Sequence, residues 1–93
     1  MGFTKESAVE RAKQDLAARL RLGESEIEEG SVTKVDFPDM SLGAPAADEM
    51  SAQMISTGWK IDLHAKGKTY EYRADKFQLR LKGYDGGNHV IVS

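Results

Sequence analysis

The stretch Trp59-Lys60-Ile61-Asp62-Leu63-His64-Ala65-Lys66-Gly67-Lys68-Thr69-Tyr70-Glu71-Tyr72-Arg73-Ala74 decides the fold. Trp59, Ile61, Leu63 and Ala65 alternate with Lys60, Asp62, His64 and Lys66, the period of a strand buried on one side. After Gly67 the alternation resumes, with Tyr70, Tyr72 and Ala74 set against Thr69, Glu71 and Arg73. Two such runs around a glycine predict an antiparallel hairpin. Charge argues its register. A turn at Lys66-Gly67 would set Asp62 against Glu71 and Lys60 against Arg73, two repulsive pairs. A turn at Gly67-Lys68 sets Asp62 against Arg73, His64 against Glu71 and Lys60 against Asp75. Each such pair is worth roughly 0.2–1 kcal/mol, and glycine at the first turn position suits a type II′ turn. The second register is therefore expected.

Upstream, the period changes to helical. Val9, Ala12, Leu16 and Leu20 form one apolar stripe, widened by Ala8 and Ala17, across an expected helix at 4–22. Thr4 is placed as its N-cap, Asp15 and Arg19 as an i,i+4 pair in the favourable order, and Gly23 as the closing C′ residue. Residues 24–30 form an acidic connector, with a helical turn capped by Ser25 and Ile27 packing beneath the helix. Strands are expected at about 31–37, with a bulge near Thr33 and Lys34, and at 51–56, carrying Met50, Ala52 and Met54 on one face and ending in a Thr57-Gly58 turn. Those at 59–66, 69–75 and 77–82 follow, and beyond the turn-forming Tyr84-Asp85-Gly86-Gly87-Asn88 run either a last strand at 89–92 or a frayed tail. The result is a single domain over 1–93, of class α+β: one N-terminal helix packed on a curled antiparallel four- or five-stranded meander sheet. Its expected core is Val9, Leu16, Leu20, Ile27, Val35, Trp59, Ile61, Leu63, Tyr72 and Phe77.

The bulk properties narrow the function classes. The chain has 93 residues, of which 40% are hydrophobic and 30% charged, as in an ordinary folded domain. A formal net charge of −2 gives no basic face for nucleic acid. No apolar run approaches the roughly 20 residues that span a bilayer, so no membrane insertion is expected. The first residues lack the apolar stretch of a signal peptide, and Glu6 breaks the myristoylation pattern. Cysteine is absent, which removes disulfides, thiolate nucleophiles and cysteine-ligated zinc.

Individual residues suggest little chemistry. His64 falls on the polar hairpin face with no second histidine at ligand spacing, so it reads as a solvated cross-strand partner. His89 lies in the expected loop four residues after Asp85 and reads as part of a flexible turn. Ser41 has neither a Gly-x-Ser-x-Gly elbow nor a Ser-x-x-Lys context, and its Pro-Asp-x-Ser setting is that of a turn former. Asp36 and Asp39 form no convincing acid–base pair. Glu24, Glu26, Glu28 and Glu29 read as a solvated run, and the glycines at 83, 86 and 87 lack a following helix for phosphate binding. Trp59, Tyr70 and Tyr72 sit at core spacing, and Lys66 with Lys68 is too small a basic tip for nucleic acid.

What remains is Phe37-Pro38-Asp39-Met40-Ser41-Leu42-Gly43-Ala44-Pro45-Ala46-Ala47-Asp48-Glu49-Met50, which holds both prolines. Long ordered loops in small domains are often functional. Two readings stay open: a cover that inserts Leu42 and Met50 into the core, or a rigid, partly apolar recognition loop braced by its prolines.

Phe37, Pro38, Asp39, Ser41, Leu42, Gly43 and Pro45, followed by Gln53, Gly58, Trp59, Ile61, Gly67, Tyr70 and Tyr72, resemble a family of small, functionally uncharacterised prokaryotic domains often found in exported proteins. The helix run Val9-Glu10-Arg11-Ala12-Lys13 resembles it too, so the likeness reaches to about Asp75. That family has cysteine where this chain has Ala44, and Pro-Gly where it has Ala46-Ala47-Asp48, so any thiol chemistry is absent here. The resemblance implies the fold, a special status for the loop and export, and no activity.

The expectation is a non-enzymatic, monomeric binding module without cofactor or metal. Its working surface is the 38–50 loop and the adjoining strand edge, with Asp39, Met40, Ser41, Leu42, Ala44 and Asp48 as candidate contacts to a protein or peptide. The alternatives are an accessory domain of a larger exported protein, and a peptidase inhibitor presenting the loop.

Overall fold

The computed structural model describes residues 2–93. Helix α1 (Lys5–Leu20) is followed by a 3₁₀ turn (Glu24–Glu26) and five strands: β1 (Glu28–Phe37), β2 (Ser56–Ala65), β3 (Lys68–Ala74), β4 (Leu79–Tyr84) and β5 (Gly87–Val92). They form one open antiparallel sheet in the order β1-β2-β3-β4-β5. The fold is α+β, a helix on a meander, as the residue periods require.

Helix α1 starts where its chemistry dictates. Thr4 Oγ1 accepts from Ser7 N at 3.1 Å and Ser7 Oγ accepts from Thr4 N at 2.8 Å, a reciprocal box that satisfies two otherwise orphaned donors. Its end differs from expectation. Arg21, not Gly23, takes the left-handed conformation (φ 57°), and Leu22 N donates back to Ala17 O at 2.9 Å. Gly23, with an ordinary φ of −75°, instead opens the 3₁₀ turn in place of the expected Ser25, its N–H donating to Glu26 Oε2 at 2.9 Å.

Ala8, Val9, Ala12, Leu16 and Ala17 of α1 pack with Ile27, Ile61, Leu63, Tyr72, Leu79 and Leu81. Alanines along the helix let it lie close to the sheet. The buried polar atoms of this core are matched: Asp15 Oδ2 accepts from Tyr72 Oη at 2.7 Å and from Arg19 Nε at 2.7 Å. Burial, with the Asp15 carboxylate second, pushes the Tyr72 phenol far above its ordinary range. Trp59 and Leu20 pack against this core while partly exposed.

The central hairpin takes the register that charge matching disfavours. Asp62 pairs with Glu71, Lys60 with Arg73 and His64 with Thr69, around a turn at Lys66 (φ 52°) and Gly67 (φ 75°). Positive φ at both turn positions makes this a type I′ turn, whose twist suits the flanking strands as the expected type II′ turn would. The like charges are relieved within one strand, since Arg73 Nε donates to Glu71 Oε2 at 2.6 Å. On the buried face this register sets Ile61 against Tyr72 and Leu63 against Tyr70. That packing outweighs cross-strand terms of under about 1 kcal/mol.

Other boundaries shift for identifiable reasons. Thr57-Gly58 is no turn and 51–56 no strand: β2 runs unbroken from Ser56, while 51–55 is irregular and leaves Met50 (96%), Met54 (63%) and Ile55 (74%) exposed. Gly58 is glycine because a Cβ there would overlap the Ala74 carbonyl. β1 begins at Glu28, and its irregularity falls between Glu29 and Val32, before Thr33 and Lys34. Phe77 leaves the core (72% exposed) because it sits in a tight turn whose Asp75 Oδ1 accepts from Phe77 N at 2.8 Å and Gln78 N at 2.9 Å. β4 therefore starts at Leu79. Val35 is only half-buried and lies on the opposite face from Ile61. The final hairpin forms around Asp85 (φ 53°) and Gly86 (φ 82°), placing His89 in β5 with Nε2 3.0 Å from Tyr84 O.

Candidate interaction surface beside a clasped loop

The 38–50 loop lies across the sheet face opposite α1, and its own turns shape it first. Asp39 Oδ1 accepts from Ser41 N at 2.9 Å, Ser41 Oγ at 2.5 Å and Gly43 N at 3.2 Å. The Ser41 hydroxyl foremost, then the Gly43 amide, hold the Asp39 carboxyl below its ordinary value. Leu42 (φ 59°) and Gly43 (φ 66°) form the next turn, closed by Ala44 N to Ser41 O at 3.0 Å. A leucine in the left-handed region costs roughly 1–2 kcal/mol. Leu42 is fully buried, and burying leucine contributes about 1.5–3 kcal/mol, which offsets that strain. Gly43 has a second reason to be glycine, since a Cβ would press on the Arg73 guanidinium.

The sheet then grips the loop by its carbonyls. Gln78 Nε2 donates to Met40 O at 2.6 Å, Arg73 to Leu42 O at 2.9 Å, Arg80 to Ala44 O at 3.2 Å and Asn88 Nδ2 to Pro45 O at 2.9 Å. Arg73 also lies over the buried Phe37 ring, 5.4 Å from its centroid. Arg80, only 4% exposed, reaches both carboxylate oxygens of Glu49 and bonds Gln78 Oε1 at 2.7 Å. That bidentate clasp, with the Ala46 amide second, holds the Glu49 carboxyl down to about 2. Strands β3, β4 and β5 thus each donate side-chain hydrogen bonds to the loop.

Of the residues picked from the sequence, Ser41, Leu42 and Ala44 point inward and are buried; Asp39 and Met40 are half-buried, and Asp48 is exposed. Leu42 is a core plug, whereas Met50, expected beside it, is in solvent. His64, exposed, lies 2.9 Å from Thr69 Oγ1 through Nδ1 rather than facing Glu71. No cluster of metal-ligating side chains occurs among the described residues. Arg73, Gln78, Arg80 and Asn88 escape sequence reading because strand alternation assigns the first three to a solvated face. The available signal is a buried-strand pattern at Leu79 and Leu81 interleaved with long donors rather than small polar residues.

One end of the sheet stays open. There the N-terminus of α1, the 75–78 turn and the 54–57 segment enclose a groove of about 750 Å³. Phe3, Met40, Met54, Ile55, Trp59 and Phe77 supply its apolar walls, with Lys5 and Lys76 among its other lining residues. Phe3 N donates to Lys76 O at 2.8 Å and Met40 N to Ala52 O at 3.0 Å, so both the helix N-terminus and the clasped loop fix the walls.

These features define a small open-sheet α+β domain with a clasped loop on one face and an apolar groove at one end. The family described as a domain of unknown function (DUF8738) matches residues 9–81, and the chain belongs to it. That match takes in α1 from Val9 onward, the loop and both clasping arginines. No curated protein and no solved structure shows significant similarity to the chain. No helix among the described residues is long and apolar enough to cross a membrane.

Proposed function

We propose that the domain is a non-enzymatic binding module that takes up a protein or peptide segment in the apolar groove bordered by the 38–50 loop. The supporting observation is that Met54, Ile55 and Phe77 are 63–74% exposed and line one groove. Large apolar side chains gathered in this way mark interaction sites far more than scattered ones do. The loop serves as a support, holding Met40 and the 52–55 segment in place, rather than as the contact itself. Its inward-facing Ser41, Leu42 and Ala44 also argue against a peptidase inhibitor, which must present its loop outward.

Selection of random displayed peptides on the wild type, counter-selected on an Ile55→Ser/Phe77→Ser variant, tests this. Both side chains are mostly exposed, so the variant should unfold at the wild-type urea concentration while losing the selected binders. A selection yielding no binder that distinguishes the two proteins refutes the reading. The second reading is an accessory domain in a larger prokaryotic exported protein, supported by the resemblance of the loop and hairpin residues. It draws on the same exposed residues and places a neighbouring domain over them.

A further inference from the structure

We infer that the segment taken up by this groove is an acidic apolar peptide, one with Asp or Glu interspersed among large hydrophobic residues; this rests on the binding-module reading above. The walls are apolar, and the charged groups lining them are Lys5, Lys76 and Asp75. Asp75 is buried and already committed, its Oδ2 accepting from Ser56 Oγ at 2.7 Å and its Oδ1 from two turn amides. Lys5 and Lys76 are exposed and have no ion-pair partner among the described residues. The N-terminus of α1 opens beside them, and its partial positive charge has the same sign. The rim is therefore cationic in a chain whose formal net charge is −2.

Other occupants fit this rim less well. A second copy seated face to face would bring the two lysine rims together, which costs rather than contributes. An acyl chain with an anionic head would match the charge, but walls as exposed as Ile55 and Phe77 would leave much of its length in water. A peptide keeps its backbone solvated while placing alternate side chains against the walls and alternate carboxylates toward the lysines.

The displayed-peptide selection supplies the first arm of the test: binders that depend on Ile55 and Phe77 should be enriched in Asp and Glu over the starting library. The second arm uses an end-blocked synthetic peptide of leucine and phenylalanine alternating with glutamate, and its glutamine twin, titrated at low salt. Trp59, the single tryptophan and a groove wall, reports binding by its fluorescence. The glutamate peptide should bind about twofold to thirtyfold more tightly, the range set by two exposed ion pairs. Lys5→Gln/Lys76→Gln should abolish the preference, and so should high salt. Groove-dependent binders without acidic enrichment, or twins that bind equally, overturn this inference and leave the binding-module reading standing. Absence of any groove-dependent binder overturns both. Sedimentation showing a dimer that Phe77→Ser dissolves would also overturn it, by assigning the groove to a second copy.

Discussion

Replacing Arg80 by methionine tests how the loop is held, and the structure allows its cost to be worked out. Methionine keeps most of the aliphatic volume of the stem, so the change removes donors more than packing. The lost bonds run to both oxygens of Glu49, to Gln78 Oε1 and to Ala44 O. Breaking a buried pair by removing one partner costs about 3–5 kcal/mol. The Glu49 side chain is 27% exposed and can rehydrate, which puts the expected loss at the lower end, about 3 kcal/mol. Glu49→Gln keeps an acceptor oxygen but leaves the more deeply buried guanidinium without this counter-charge, at a cost of about 3–5 kcal/mol. With both changes no unpaired charge remains, so the double variant should be more stable than additivity predicts, by about 1–3 kcal/mol. Urea unfolding followed by Trp59 fluorescence measures the cycle. Amide exchange at Ser41, Leu42, Gly43 and Ala44 should accelerate before that of α1, because these amides bond within the loop itself. If Arg80→Met shifts stability by less than about 0.5 kcal/mol and leaves those amides as slow as in the wild type, the loop stands on its own turns and the clasp argument fails.

Acid should loosen the same clasp. Glu49 is depressed from 4.5 to about 2 and Asp39 is lowered as well, so their contribution is complete above the unfolded values and is lost as pH falls through the folded ones. A Glu49 carboxyl carbon titrating near 4.5 by NMR would refute this. Asp62→Lys should stabilise the protein by about 0.2–1 kcal/mol, because Asp62 faces Glu71; a lower urea midpoint would favour the register with Asp62 against Arg73. Gly58→Ala should cost about 3 kcal/mol or more, since the added Cβ meets backbone at Ala74 and no side chain can swing away. Wild-type stability in thermal unfolding would contradict the close approach of β2 and the end of β3.

The features legible in the sequence are those that local periods determine. The α1 stripe, the Thr4 cap, the Asp15–Arg19 pair and the alternation around Gly67 each depend on residues a few positions apart, and each is found where those periods put it. The hairpin register was not legible, and the reason lies in the other half of the chain. Charge matching treats Glu71 and Arg73 as facing water and one another's neighbours across the strand. In the fold, Glu71 is taken by Arg73 on its own strand, and Arg73 reaches the Leu42 carbonyl thirty-one positions away. Gln78 and Arg80 repeat the lesson, since their polar alternation describes a face covered by a loop and not by solvent. The candidate site moved for the same reason. Once four loop carbonyls find donors on the sheet, the loop's central side chains must turn inward. The exposed apolar surface then falls to Met54 and Ile55, in the irregular segment that Met40 N holds through Ala52 O, and to Phe77, which the Asp75 turn keeps out of the core. One wall of the groove thus depends on the clasp, and a variant that releases the loop should lose the wall that the Met40–Ala52 bond holds in place.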